Sequence, residues 1–266
     1  MKFNHCLICK SENVLNYTII DNNKKSGVWY SCRCGAWYQL KNVDRKVFNE
    51  EYKKKYEGIK CLSDRLEYLR KIYVPFIEEM TYGRKFLDVG FVIPSHIEAL
   101  KERGWIATGI DLMDNLYIKA DFELYDFKIN KYDFIFMGSV LESFDNPVEA
   151  INKAYKLLNS SGVMLITTAC TDFMYLSGFK KFGHWNTAEH HIYMSRRVLE
   201  ETLRVAGFDI LAMKENYSQR FVTWHDLHCI AQKPYTANEQ KDKLGFADNT
   251  VMARFKISRD KEKQNG

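Results

Sequence analysis

Short continuous apolar runs alternate with stretches of helical spacing from residue 85 to residue 232. Phe86, Leu87 and Val89 form one such run, closed by Gly90. A run this short, ended by a turn residue, predicts a strand buried on both faces, as in a parallel sheet. Pro94 stands where a first helical residue is favoured, Ile97, Ala99 and Leu100 supply an apolar face, and Gly104 suits a left-handed helix end. Trp105 to Ile110 reads as the next strand, with Asp111 at its close. Tyr132 to Val140 is a further strand. Asn146 and Pro147 then open a helix whose inner face is Val148, Ile151, Tyr155 and Leu158. Residues 160–162 turn into a strand from Val163 to Thr168. Ser195 caps a helix over Val198, Leu199, Leu203 and Ala206, ended by Gly207, and Phe208 to Met213 and Asp226 to Gln232 are the last strands. Strands alternating with helices predict an α/β fold around a mostly parallel sheet.

Upstream, Leu62, Leu66, Leu69, Ile72 and Tyr73 keep helical spacing, and Pro75 is expected to interrupt that helix, which packs on the edge of the sheet. The charged run at residues 49–56 reads as a solvated helix face with aromatic anchors. Residues 1–40 carry Cys6 and Cys9, then Cys32 and Cys34, around apolar segments at Val14 to Ile20 and Val28 to Tyr30. Two close cysteine pairs separated by a β-rich segment have the form of a zinc ribbon, each pair delivering two thiolates to a tetrahedral structural zinc. The second pair is one residue short of the usual spacing, which predicts a strained turn or a substitute ligand such as His5 or water. The expected division is a zinc-ribbon-like module at 1–40, a helical linker at 41–83, the main domain at 84–234 and a polar, mobile tail at 235–266.

Composition narrows the class. A chain of 266 residues, 46% hydrophobic, can bury a core, and no apolar stretch reaches the roughly 18 residues of a membrane span. The start, MKFNHCLICK, lacks an apolar export signal, so a cytoplasmic protein is expected. Seven cysteines without such a signal favour reduced thiols and a metal over disulfides, with Cys61, Cys170 and Cys229 read as buried small hydrophobes. The net charge of +5 is mild, and residues 241–266 hold seven Lys/Arg against four Asp/Glu, so the chain does not demand nucleic acid.

The candidate chemistry starts at Asp88 and Gly90, where a strand ends in a tight turn, and at Asp111, about 20 positions on. A glycine that lets backbone approach a ligand, followed by an acid for ribose hydroxyls, is the physical package of a nucleotide-binding βαβ unit. The stretch resembles motif I of class I S-adenosylmethionine-dependent methyltransferases, D-x-G-x-G-x-G followed by G-x-D, with Val92 and Pro94 in place of the second and third glycines. Asp121 and Phe122 resemble the family's acidic and aromatic positions at the adenine, and a loop acid beside a core aromatic is the competing reading. Leu141-Glu142-Ser143 resembles the family's L-E-H, with serine for histidine, and Glu142 is placed near the acceptor or the methionine end. The helix, glycine turn and strand at 147–168 resemble the family's LLKPGG segment. Trp185 and the run from Glu189 to Ser195 resemble its W…PEHLYYFS.

Residues 6–233 thus resemble bacterial methyltransferases with an N-terminal zinc ribbon, of the kind encoded among surface-polysaccharide genes. The resemblance implies a Rossmann-like seven-stranded sheet, S-adenosylmethionine over the first strands, and a sugar or other glycan-precursor acceptor over the later ones. A histidine near neutral pKa suits deprotonation of a hydroxyl acceptor, which makes His190 the first candidate base, then His184 and His191. The expected reaction is O-methylation of a sugar or phosphorylated precursor of a capsule-type polysaccharide. The alternative is a catalytically degenerate scaffold or partner for another methyltransferase, and a homo-oligomer fits either reading. An RNA methyltransferase is the weaker third reading.

Overall fold

The computed structural model describes residues 5–12, 14–20, 26–39, 50, 67, 69–91, 93–112, 117–177, 182–185, 189–217 and 225–235. Expectations that fall on Cys61, Leu62, Leu66, Val92, most of the 49–56 run and the tail from 236 lie outside the described residues.

The chain opens with β1 (Val14–Ile20), β2 (Ser26–Cys32) and β3 (Trp37–Gln39). A π-helical turn at Leu69–Tyr73 runs straight into α1 (Val74–Met80). Pro75 therefore does not interrupt the helix; it sits in the first turn of α1, where a missing N–H costs no hydrogen bond. The order continues β4 (Lys85–Val89), α2 (Ser95–Lys101), β5 (Ile106–Asp111), β6 (Ile118–Lys119), β7 (Tyr132–Gly138), α3 (Pro147–Leu157) and β8 (Leu158–Ala169). It closes with α4 (Asp172–Ser177), β9 (Ile192–Tyr193), α5 (Arg196–Val205), β10 (Asp209–Tyr217) and β11 (His225–Gln232).

Seven strands form the main sheet in the order β10-β11-β8-β7-β4-β5-β6. β6, β5, β4, β7 and β8 are parallel, β11 pairs antiparallel with β8, and β10, antiparallel to β11, runs again in the direction of the other five. Period-two alternation builds both faces of this sheet. Phe86 and Phe134 enter one core with Val74, Ile77, Ile97 and Leu100, whereas Leu87 and Ile135 enter the other with Ile151, Leu199 and Leu203. Helices cover both faces, which is why the strands read as unbroken apolar runs. From β4, the chain adds β5 and β6 on one side and then crosses to β7 on the other. That reversal makes a crevice at the carboxyl ends of β4 and β7.

Several expected boundaries shift. Pro94 occupies the cap position and Ser95 is the first residue of α2. The turn expected at 160–162 lies within β8, where Ser161 takes a φ of 58° and the register against β7 slips between Tyr132 and Phe134. The buried face of α3 is Pro147, Ala150, Ile151, Ala154 and Leu157, so Val148 and Tyr155 flank the seam rather than fill it. The caps are as read: Asn146 Oδ1 accepts from Glu149 N at 3.3 Å and Ser195 Oγ from Val198 N at 3.2 Å.

A second sheet has the order β1-β2-β3-β9. Its fourth strand comes from the long connection after β8, so the N-terminal strands are sewn into the main domain. Trp37 pairs with Tyr193 and Tyr38 with Ile192.

Candidate active site and thiol cluster

The carboxyl ends of β4, β5 and β7 bring together most of the residues expected at the cofactor. Gly90 takes a φ of +71°, and its N–H donates to Ile110 O at 2.8 Å, tying the turn after β4 to β5. A Cβ at Gly90 would fall 2.5 Å from Val140 Cγ2, so both the backbone angle and the contact with the end of β7 require glycine. Asp88 is buried at 1% exposure, and its Oδ2 lies 3.2 Å from Nδ1 of His96. His96 was not singled out from the sequence; its one sign is a histidine inside the apolar face of α2. Its ring packs against Phe136 and Tyr73, with centroids 4.7 and 4.9 Å apart. Asp111 ends β5, is buried, and its carbonyl accepts from Ala120 N at 3.0 Å. Two buried carboxylates and a left-handed glycine at the crevice suit a ligand that presents ribose hydroxyls and brings its chain close to backbone.

Asp121 lies half-buried beyond β6, and its Oδ1 accepts from Glu123 N at 2.8 Å in a local turn. The Phe122 ring is enclosed between Phe127 and Phe144, with Lys153 Nζ 5.3 Å from its centroid. Lys153 donates to the carbonyls of Glu123 and Tyr125, and burial pulls its ammonium below the ordinary lysine range.

The residues expected on the acceptor side lie at the ends of β7, β8 and β11. Glu142, just after β7, is buried at 2% exposure. Its Oε1 accepts from Ala169 N at 2.6 Å and its carbonyl from His191 N at 2.6 Å. Burial pushes its carboxyl up to about 7, with the Ala169 N–H offsetting part of the rise. The three expected histidines lie in the connection that His191 N ties to it. His184 is buried, with Nε2 3.4 Å from Asp226 Oδ1. His191 is buried, with Nδ1 3.3 Å from Asp145 Oδ1. His190 is the one of the three with appreciable exposure, and its Nδ1 lies 2.9 Å from the Tyr193 hydroxyl. That hydroxyl donates to the His184 carbonyl.

Tyr193 joins an aromatic cluster that the sequence showed only as scattered rings. Trp29 stacks on Tyr193 at 4.9 Å, and Trp185 meets Trp29 edge-on at 5.0 Å. Phe182 closes the cluster against Trp185 and Tyr193.

The four expected cysteines converge beside the second sheet. All four sulfurs lie within 4.8 Å of one another, with Cys6 to Cys34 at 3.7 Å and Cys9 to Cys32 at 3.5 Å. A tetrahedral zinc with Zn–S near 2.3 Å needs sulfurs about 3.8 Å apart, so the donor set fits that ion. The short Cys32–Cys34 turn delivers both its sulfurs, because Gly35 at φ +104° lets the chain reverse and Gly35 N close on Cys32 O at 2.9 Å. The substitute ligand expected from the short spacing is not needed. The hydrogen bond with Cys34 holds the Cys6 thiol down at about 5, and that bond and burial push Cys34 up. Cys170 and Cys229 are buried, and burial pushes both thiols up to about 12, as inert core cysteines require.

The family model for the methyltransferase domain matches residues 21–213. No curated protein matches the chain by sequence. Among solved structures, the Burkholderia thailandensis 1,6-didemethyltoxoflavin-N1-methyltransferase, with 1,6-didemethyltoxoflavin and S-adenosylhomocysteine bound, is 14% identical at a TM-score of 0.53, the match covering 77% of this chain and 99% of that one. The magnesium protoporphyrin IX methyltransferase of Synechocystis, with S-adenosylhomocysteine bound, is 13% identical at a TM-score of 0.50, covering 73% of this chain and all of that one. With a family match over most of its length and the sheet order that such enzymes share, the chain belongs to the methyltransferase domain family and has the class I fold of S-adenosylmethionine-dependent methyltransferases.

Proposed function

We propose that the chain uses S-adenosylmethionine to O-methylate a sugar or phosphorylated glycan precursor. The observation that carries the cofactor is the meeting of Gly90, Asp88 and Asp111 at the crevice where the sheet reverses. In this reading Asp111 accepts the ribose hydroxyls, Asp88 and Gly90 shape the methionine end, and Asp121 lies at the adenine edge with Phe122 as the apolar wall behind it. When bound, the cofactor supplies an electrophilic methyl on a sulfonium. The scaffold alternative is not favoured, because the two buried acids and the glycine turn are all kept in place.

The polysaccharide precursor rests on the resemblance of the Trp185 and Glu189–Ser195 segments. The protein's part in the reaction falls to His190. The Tyr193 hydroxyl spends its proton on the His184 carbonyl, so its oxygen accepts from His190 Nδ1–H. That tautomer leaves the lone pair on Nε2, the atom that takes the proton of the acceptor hydroxyl. His184 and His191, buried and paired with Asp226 and Asp145, hold the loop. The thiols of Cys6, Cys9, Cys32 and Cys34 hold a structural zinc, four protein ligands leaving no open position for chemistry. A cytoplasmic location follows from the precursor substrate, and among the described residues no helix is long and apolar enough to cross a membrane.

Calorimetric titration with S-adenosylmethionine and S-adenosylhomocysteine tests the reading. Micromolar binding supports it, and a screen of glycan precursors then finds the acceptor. Absence of binding at millimolar ligand overturns it.

A further inference from the structure

The thiol cluster and the histidine loop are distant in sequence but share one short strand. From Cys34 the chain passes through Gly35 and Ala36 into β3, which ends at Gln39. Gly35 and the three residues of β3 are bonded to the chain that follows β8, the part carrying the histidines. The Gly35 carbonyl accepts from Thr171 Oγ1 at 2.9 Å and from Ser195 N at 3.2 Å. Trp37 and Tyr38 pair with Tyr193 and Ile192. Gln39, 4% exposed, commits its backbone N–H to His191 O at 2.9 Å and its side-chain Nε2 to His190 O. The carbonyls of the proposed base and of the residue after it are thus held by one residue of β3.

These bonds are local to the ribbon side. β9 has two residues and, among the described residues, pairs with β3 and with no other strand of the second sheet, while the main domain holds its neighbours through Glu142 O, which accepts from His191 N at 2.6 Å, and Met194 O, which accepts from Thr171 N at 3.0 Å. β3 is held by its ladder with β2 and by the turn at Cys32–Cys34, whose closure is two backbone bonds, Cys32 N to Ala36 O and Gly35 N to Cys32 O, both 2.9 Å. Four thiols packed within 4.8 Å give that turn no covalent tie of their own, whereas a shared metal ties it to Cys6 and Cys9. The cofactor crevice makes no use of this path: Gly90 is held by Ile110, and Asp111 by its place at the end of β5.

We propose that metal held by the four cysteines sets the position of the histidine loop through Gln39, so that Gln39 is a positioning residue of the acceptor side while the cofactor side is independent of the metal. The inference rests on the proposed function for the meaning of the histidine loop and not for the physical coupling.

Hydrogen exchange on the full chain tests it, after metal analysis, with and without a zinc chelator. The expected results are one equivalent of zinc and, on stripping, roughly tenfold or faster exchange in residues 189–195 with less than about twofold change in β4 and β5. Gln39→Ala, with zinc retained, is expected to speed exchange in the same residues severalfold. Metal-free purified protein, unchanged exchange at 189–195 on stripping, or equal loss of protection in β4 and β5 overturns the proposal. A Gln39→Ala protein with wild-type exchange at 189–195 overturns the role of that residue. Binding of S-adenosylhomocysteine, read in parallel by calorimetry, is expected to survive stripping within about twofold; its loss on stripping overturns the independence of the two sides. No binding even by the zinc-loaded protein defeats the proposed function instead and leaves the exchange result standing.

Discussion

The Tyr193 hydroxyl lies 2.9 Å from Nδ1 of His190, the residue three positions before it, and donates its own proton to the carbonyl of His184. One hydroxyl therefore orients the His190 ring and pins the loop that carries all three histidines. Tyr193→Phe is expected to leave the aromatic cluster intact and to cost about 1 kcal/mol of stability, the net worth of a buried hydrogen bond. Its larger effect is on His190, which loses its fixed tautomer. Nitrogen-15 imidazole shifts will report a single Nδ1–H form in the parent and a mixture in the variant, with turnover roughly tenfold lower once an acceptor is in hand.

Glu142 makes stability depend on pH in an unusual direction. Its folded carboxyl titrates at about 7, above the ordinary 4.5, because burial penalises its charge. The folded state therefore holds a proton that the unfolded chain has released between those values, and stability falls as pH rises from about 4.5 to about 7, then levels. Glu142→Gln keeps the acceptor for Ala169 N–H and removes the titration. Urea melts at pH 5 and pH 8 will show the variant gaining on the parent with rising pH, by on the order of 3 kcal/mol at most. A constant difference across that range would count against a buried, neutral carboxyl.

Asp111→Ala removes a carboxylate from the end of β5 without touching the strand's pairing with β4. Hydrogen bonds to a charged group are worth about 1.5–3 kcal/mol, so affinity for S-adenosylhomocysteine is expected to fall about 10- to 100-fold. Calorimetry of parent and variant at one salt concentration measures it.

Gly35→Ala tests the ribbon's seat. The residue has a φ of +104°, and a Cβ there would stand 2.4 Å from Ser195 Oγ, the cap of α5. Strain and the displaced cap together are expected to cost about 2 kcal/mol or more, seen as a lower Tm. Gly104→Ala is the control: it too has a positive φ, at +80°, but its Cβ would meet nothing, so its cost is the backbone strain alone, about 1 kcal/mol.

Much of the fold was legible because its signals are local. Phe86 to Gly90 and Tyr132 to Gly138 had to be buried strands, and Asn146 and Ser195 had to start helices, from chemistry within a few residues. The four cysteines were found the same way, from two short spacings. Pro75 misled because the residue at fault in a helix interior is harmless in a first turn, and sequence alone does not say which turn comes first. The inner face of α3 was misplaced by one position, since Val148 and Ala150 both fit the period and packing against the sheet decides. His96 beside Asp88 was missed because nothing in its spacing distinguishes it from a core residue. The pairing of Gln39 with His190 and His191 could not be read at all: it joins residues 151 apart and depends on which sheet edge meets which loop.

The second sheet also fixes the order in which the protein can be completed. Its first three strands leave the ribosome early, yet the strand that finishes it, β9, is made only after the whole parallel core has been synthesised. That earlier part of the nascent chain must wait, with Trp29 and Trp37 uncovered, for Trp185 and Tyr193 to arrive. Closure over so long a loop is slow, and it leaves an early apolar surface open to wrong partners. A ribbon cut from the chain at residue 40 would carry that surface for good.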